Sequence, residues 1–125
     1  MKRTPDSEDA FTIERHGEVT VVVASPSLEF MDATLVEPAS ELMLSSLRGR
    51  EEPLVIVDLT RLDFFGSAFL QLLLKCWNFA RRKGGQMVLA GVSTRARELL
   101  HITSLDIIWP IYGTRKEAVE ALLSD

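Results

Sequence analysis

Two short, almost wholly apolar runs, "LVIVDLT" at residues 54–60 and "QMVLAG" at 86–91, stand on either side of a helix-patterned stretch. In that stretch Phe69, Leu70, Leu73, Leu74, Trp77 and Ala80 recur at three- and four-residue spacing up to Lys83, and Gly84-Gly85 ends it. A strand that is apolar at nearly every position suits burial on both faces rather than a sheet edge. Two such strands joined through a helix run parallel, with a right-handed crossover. The chain is therefore committed to a layered sheet with helices packed on it.

The flanking segments extend this pattern. "FTIERHGEVTVVVAS" reads as two β-segments around a turn at His16-Gly17. In "MDATLVEPASELMLSSLRGREEP", Pro38 fits the first turn of a helix carrying Leu42, Met43 and Leu47 on one side, and Gly49 is its stop. Ser93 or Thr94 caps a short helix through Leu100, with Arg95, Arg97 and Glu98 outward. "IIWPIY" supplies a last strand that Pro110 places at an edge or an end. "TRKEAVEALL" opens with Thr114 and Glu117 at capping-box spacing and continues as an amphipathic helix. The expected order is β-β-α-β-α-β-α-β-α, an α/β domain with a mostly parallel central sheet and helices packed against it. Residues 1–10 are expected to be a flexible tail and 11–125 the domain.

Composition narrows the function classes. With 125 residues, 46% of them apolar, one buried core is the expectation. Fourteen basic against 18 acidic residues give a net charge of -4, which provides no broad positive field for nucleic acid or anionic lipid. No apolar run approaches the roughly 20 residues of a membrane span. Cys76 is alone and the N-terminus lacks a signal-peptide core, so a cytoplasmic protein is expected.

No catalytic constellation emerges, and neither a metal nor a cofactor is expected. His16 in a turn and His101 at a helix end have no ligand spacing with Cys76, whose mid-helix place among Leu73, Leu74, Trp77 and Phe79 predicts packing. Gly84-Gly85 precedes a strand instead of following one, the reverse of a phosphate-cradling loop. Asp58 must sit near a strand end and find hydrogen bonds, with loop amides as the expected partners. Ser67 lies where a parallel strand gives way to a helix, the place where ligands and contacts gather in such sheets. Its position suits a helix cap, the commoner role, or a phosphoacceptor beside unpaired amides.

The element order, with Asp58-Leu59-Thr60, Leu62-Asp63-Phe64, Gly66-Ser67-Ala68-Phe69, Gly84-Gly85 and Thr103-Ser104-Leu105, resembles the STAS domains of bacterial anti-sigma factor antagonists. The likeness runs from about residue 11 to the C-terminus, and Met31-Asp32 resembles the family's step after the second strand. It implies a single STAS domain that binds a protein partner, often an anti-sigma factor with serine kinase activity. It further implies that phosphorylation of Ser67 abolishes that binding, with Asp32 near the site. The partner-facing residues expected on this basis are Asp32, Asp63, Gly66, Ser67, Ala68 and Phe69.

Two positions depart from the family pattern. Gly66 stands where an acidic residue precedes the serine, and Phe69 stands where a glycine follows it, offering a hydrophobic anchor for a different partner. They motivate an alternative, a phosphorylation-independent STAS subunit of a scaffold or of a lipid or anion transporter. A nucleotide-binding role is the third reading, without a P-loop to support it.

Overall fold

A computed structural model describes residues 10–124. The tail expected over 1–10 falls outside the described residues except for Ala10, which is buried and whose carbonyl accepts the Ser25 amide at 2.9 Å. Strands β1 (Phe11–His16), β2 (Val19–Ala24), β3 (Leu54–Asp58), β4 (Gln86–Ala90) and β5 (Ile111–Tyr112) lie side by side in sequence order. β1 and β2 form the expected antiparallel hairpin, and every later pairing is parallel. The fold class is thus the α/β arrangement expected, with β3 in the centre.

Helices α1 (Val36–Ser45), α2 (Ser67–Arg82) and α3 (Thr94–Ile102) are the crossovers, and α4 (Arg115–Leu123) follows the last strand. The period-2 alternation of β3 sends Val55 and Val57 to one core and Ile56 to another. The larger core gathers Met43 from α1, Leu73 and Cys76 from α2, and Leu100 from α3. The smaller one packs Val21, Ile56 and Val88 under Ala118 of α4 alone. Both faces of the parallel sheet are therefore covered, as its apolar strands demand.

Local signals account for the helix ends. α2 stops in a Schellman arrangement: Gly84 N–H donates to Arg81 at 3.0 Å and Gly85 N–H to Ala80 at 2.8 Å, with Gly84 at φ +77. Ser93 caps α3 and Thr114 caps α4, each hydroxyl accepting an amide three residues on.

Two expectations are corrected. The buried stripe of α2 is Phe69, Leu72, Leu73, Cys76 and Ala80, so Leu74 turns outward and Leu70 and Trp77 are half-buried. The helix is apolar over more than half its circumference, and two adjacent stripes satisfy the same spacing. The last strand is only Ile111–Tyr112, because residues 105–107 form a 3-10 turn that buries Trp109 and leaves Ile107 exposed.

Candidate functional site

The C-terminal ends of β3 and β4 carry the loops of greatest interest. β3 ends at Asp58, and residues 59–66 lead to α2. Leu59, Leu62 and Phe65 are buried and fasten this loop to the core, while Asp63 and Gly66 remain exposed. The Phe65 and Phe69 rings lie 5.0 Å apart in tilted contact beneath the helix start.

Gly66 occupies the N-cap position in extended conformation, and no side chain caps α2. Ser67 is therefore the first helical residue rather than the cap, and it is exposed. Its hydroxyl projects at a helix start whose first amides lack intrahelical partners and carry partial positive charge. Ala68 beside it is half-buried.

Phe69 corrects an expectation. It is fully buried in the larger core, so its ring supports the helix start from beneath and is not a surface anchor. Its spacing of three, four and seven residues from Leu72, Leu73 and Cys76 puts it on the buried stripe of α2.

The aromatic surface of the corner comes instead from Phe30 and Phe64. Phe30, closing the 3-10 segment Pro26–Phe30, is 79% exposed and meets the edge of Phe64 at 5.2 Å. Arg95, in the first turn of α3, lies 4.6 Å over the Phe64 ring and pairs with Asp63 at 3.2 Å. Asp63 is tied in from two further directions: its N–H donates to the Glu29 carboxylate at 2.5 Å and its carbonyl accepts the Ser93 hydroxyl. Three loops are thereby clamped around one residue, which gives the corner a defined shape.

Asp32 makes its hydrogen bonds within its own turn. It caps the 3-10 segment Ala33–Leu35 and accepts from the Thr34 hydroxyl and amide, bonds that hold its carboxyl below the usual range. From this segment it is Glu29 that reaches the 59–66 loop. Glu29, Phe30, Phe64 and Arg95 were not singled out as site residues in the sequence. A lone exposed aromatic inside the polar "SPSLEFMD" stretch was the available signal for Phe30.

Behind the corner, Asp58 is buried and accepts from the Thr60 amide at 2.9 Å and from Arg115. Burial pushes its carboxyl up, but the Thr60 bonds and the Arg115 charge together outweigh that, and it titrates below the ordinary range. Arg115 also holds Glu14 of β1 at 2.6 Å. The expected loop amide is present; Arg115, 57 residues away in sequence, had no sequence signal. Cys76 is buried in the core, and burial pushes its thiol up to about 12.

A sheet of this order agrees with comparison to known proteins. The STAS domain model matches residues 10–118, and the chain belongs to the STAS domain family. Within it, the chain resembles proteins named anti-sigma factor antagonists. BtrV of Bordetella bronchiseptica, named a candidate anti-sigma factor antagonist, is 29% identical over 97% of this chain and 94% of its own. The anti-sigma F factor antagonist of Paenibacillus polymyxa is 26% identical over 88% and 92%. The structure of an anti-sigma-factor antagonist (STAS) domain protein from Planctomyces limnophilus superposes with a TM-score of 0.80 at 30% identity, covering 90% of this chain and 97% of that one. Among the described residues, no helix is long and apolar enough to cross a membrane.

Proposed function

We propose that this chain is a cytoplasmic, non-enzymatic regulatory protein that docks onto an anti-sigma factor with serine kinase activity, and that phosphorylation of Ser67 ends the contact. The observation that carries the reading is Ser67 itself, exposed at the uncapped start of α2. Asp63, Gly66 and Ala68 surround it on the same loop and helix start, and Phe30 with Phe64 supplies the apolar contact that a protein interface needs at its centre. Asp32 flanks this face in the family resemblance, and Phe69 braces it from within. The names of the similar proteins supply the partner class.

The chemistry suits a switch. A phosphoryl group brings close to two negative charges, which the helix amides and dipole accommodate in the free protein. Pressed into a dry interface, the same charges lose their water and break the contact. Gly66 adds no carboxylate to oppose the phosphate.

Intact mass and phosphopeptide mapping of the protein purified from its native cells under several stresses tests this reading. A phosphoryl group on Ser67 that varies with conditions, together with loss of partner capture by Ser67→Asp, is the expected result. An unmodified Ser67 under every condition, with a partner that co-purifies equally with Ser67→Asp, favours a phosphorylation-independent subunit of a scaffold or transporter. Gly66, in place of the acidic residue, is the feature behind that second reading.

A further inference from the structure

A hollow of about 720 Å³ opens at the C-terminal edge of the sheet. Val23 of β2, Asp58 of β3, Gly91 beyond β4 and Gly113 beyond β5 bring four strand ends to it. The chain leaving β4 turns to α3 over the larger core, whereas the chain leaving β5 turns to α4 over the smaller one. Neighbouring strands therefore send their loops to opposite faces, and a crevice is left between them. Open α/β sheets take ligands at such a divergence, outside the carboxyl ends of the strands.

The lining says what fits. Four charged residues contribute to it, Asp58, Arg61, Arg115 and Lys116. The Asp58 side chain is only 4% exposed and already saturated by Thr60 and Arg115, so every charge presented at the mouth is positive, in a chain of net charge -4. Among the described residues neither Arg61 nor Lys116 stands in an ion pair. Arg115 is held in place by Asp58 and Glu14 through three of its nitrogens, and a guanidinium has five N–H donors, so two remain. Val23 and Val92 make part of the wall apolar.

We propose that this hollow binds a small organic phosphate, its phosphoryl group held by Arg61, Lys116 and the spare donors of Arg115, its apolar part laid against Val23 and Val92. Two cations without carboxylate partners match a group that carries close to two negative charges, and fixed guanidinium donors suit its oxygens. Arg61 belongs to the 59–66 loop, so the ligand ties that loop to α4. The proposal stands independently of what docks at the Ser67 corner.

Isothermal titration calorimetry with phenyl phosphate and with inorganic phosphate, in about 0.15 M sodium chloride to screen non-specific attraction, tests it. Phenyl phosphate is expected to bind at one site with a Kd below about 1 mM, and inorganic phosphate, which lacks the apolar part, more weakly. Arg61→Gln and Lys116→Gln are each expected to weaken phenyl phosphate about tenfold, the worth of one charge-assisted hydrogen bond. Both variants should melt at the wild-type temperature, since both side chains are exposed. Lys83→Gln, at the far end of α2, is expected to bind as wild type does. Titrations that fail to saturate by about 10 mM, or that weaken equally with Lys83→Gln, mean an adventitious ion only and overturn the proposal. So does binding indifferent to Arg61→Gln and Lys116→Gln. Inorganic phosphate bound as tightly as phenyl phosphate overturns the assignment of an organic ligand.

Discussion

Arg115, the first residue of α4, holds Asp58, the last residue of β3, through two guanidinium nitrogens, Nε at 2.9 Å and Nη2 at 2.8 Å from the same carboxylate oxygen. The pair joins α4, the only helix of the smaller core among the described residues, to the central strand. The other carboxylate oxygen is taken by Thr60, so Asp58 is saturated although it is buried.

Removing Arg115 leaves that carboxylate buried without its counter-charge. Arg115→Ala is expected to destabilise the fold by about 2 kcal/mol at neutral pH, less than a fully buried pair because the arginine is one-third exposed and Thr60 remains. The folded-state carboxyl titrates below its unfolded value of about 4. The stabilisation it gives is therefore present above that value and is lost as pH falls through the folded pKa. Urea unfolding of wild type and Asp58→Asn should show a difference at pH 7 that shrinks steadily below about pH 4.

Phe69 and Phe30 should separate stability from docking. Phe69→Ala empties a fully buried site and is expected to cost about 3–5 kcal/mol in chemical denaturation. Phe30→Ala, at a ring that is mostly exposed, is expected to change stability by under about 0.5 kcal/mol while weakening capture of a partner at the Ser67 corner.

Ser67→Ala probes capping directly. A capping serine costs about 1 kcal/mol when truncated, but the N-cap here is Gly66 and Ser67 lies inside the helix. A change within about 0.5 kcal/mol by thermal melting is expected, and a larger loss would return the hydroxyl to a structural role.

The Cys76 thiol should be silent. Buried and pushed up to about 12, it supplies almost no thiolate near neutral pH. Native protein is expected to react with a thiol-specific chromogenic disulfide only at the rate of unfolding, and fully in denaturant.

Gly85 is held by close approach rather than by an unusual φ. A Cβ there would lie 2.0 Å from the Pro53 carbonyl oxygen, which the Gln86 amide uses at 2.9 Å to open the β3–β4 pairing. Gly85→Ala must displace backbone, and a loss of about 2 kcal/mol or more is expected in denaturation, with the melting temperature lowered accordingly.

The fold was legible because its signals are local and periodic: "LVIVDLT", the helical stretch after Ser67, and the glycine stop each name an element without help from the rest of the chain. The site was legible only where it coincides with such a boundary. Ser67 stands at a strand-to-helix junction that the sequence marks; Arg95 and Phe30 reach the corner from segments that sequence spacing does not relate. Arg115 meets Asp58 across 57 residues and Glu14 across 101, pairings that only the finished sheet creates. The sequence reads Phe69 both as the head of the apolar stripe and as an outward anchor, and only its packing in the larger core decides for the stripe.

The strict succession β1-β2-β3-β4-β5 bears on how the molecule is made. Each strand emerging during synthesis finds its neighbour already present, so the sheet can grow in one direction without waiting for a later segment to insert between earlier ones. What cannot form early is the Glu14–Arg115–Asp58 tie, since its arginine arrives last and grips the first and central strands together. Until then, among the described residues, one face of the sheet has no helix over it. Emergence of α4 is the event that seals the second core, and a chain halted before α4 would display a bare valine-rich sheet.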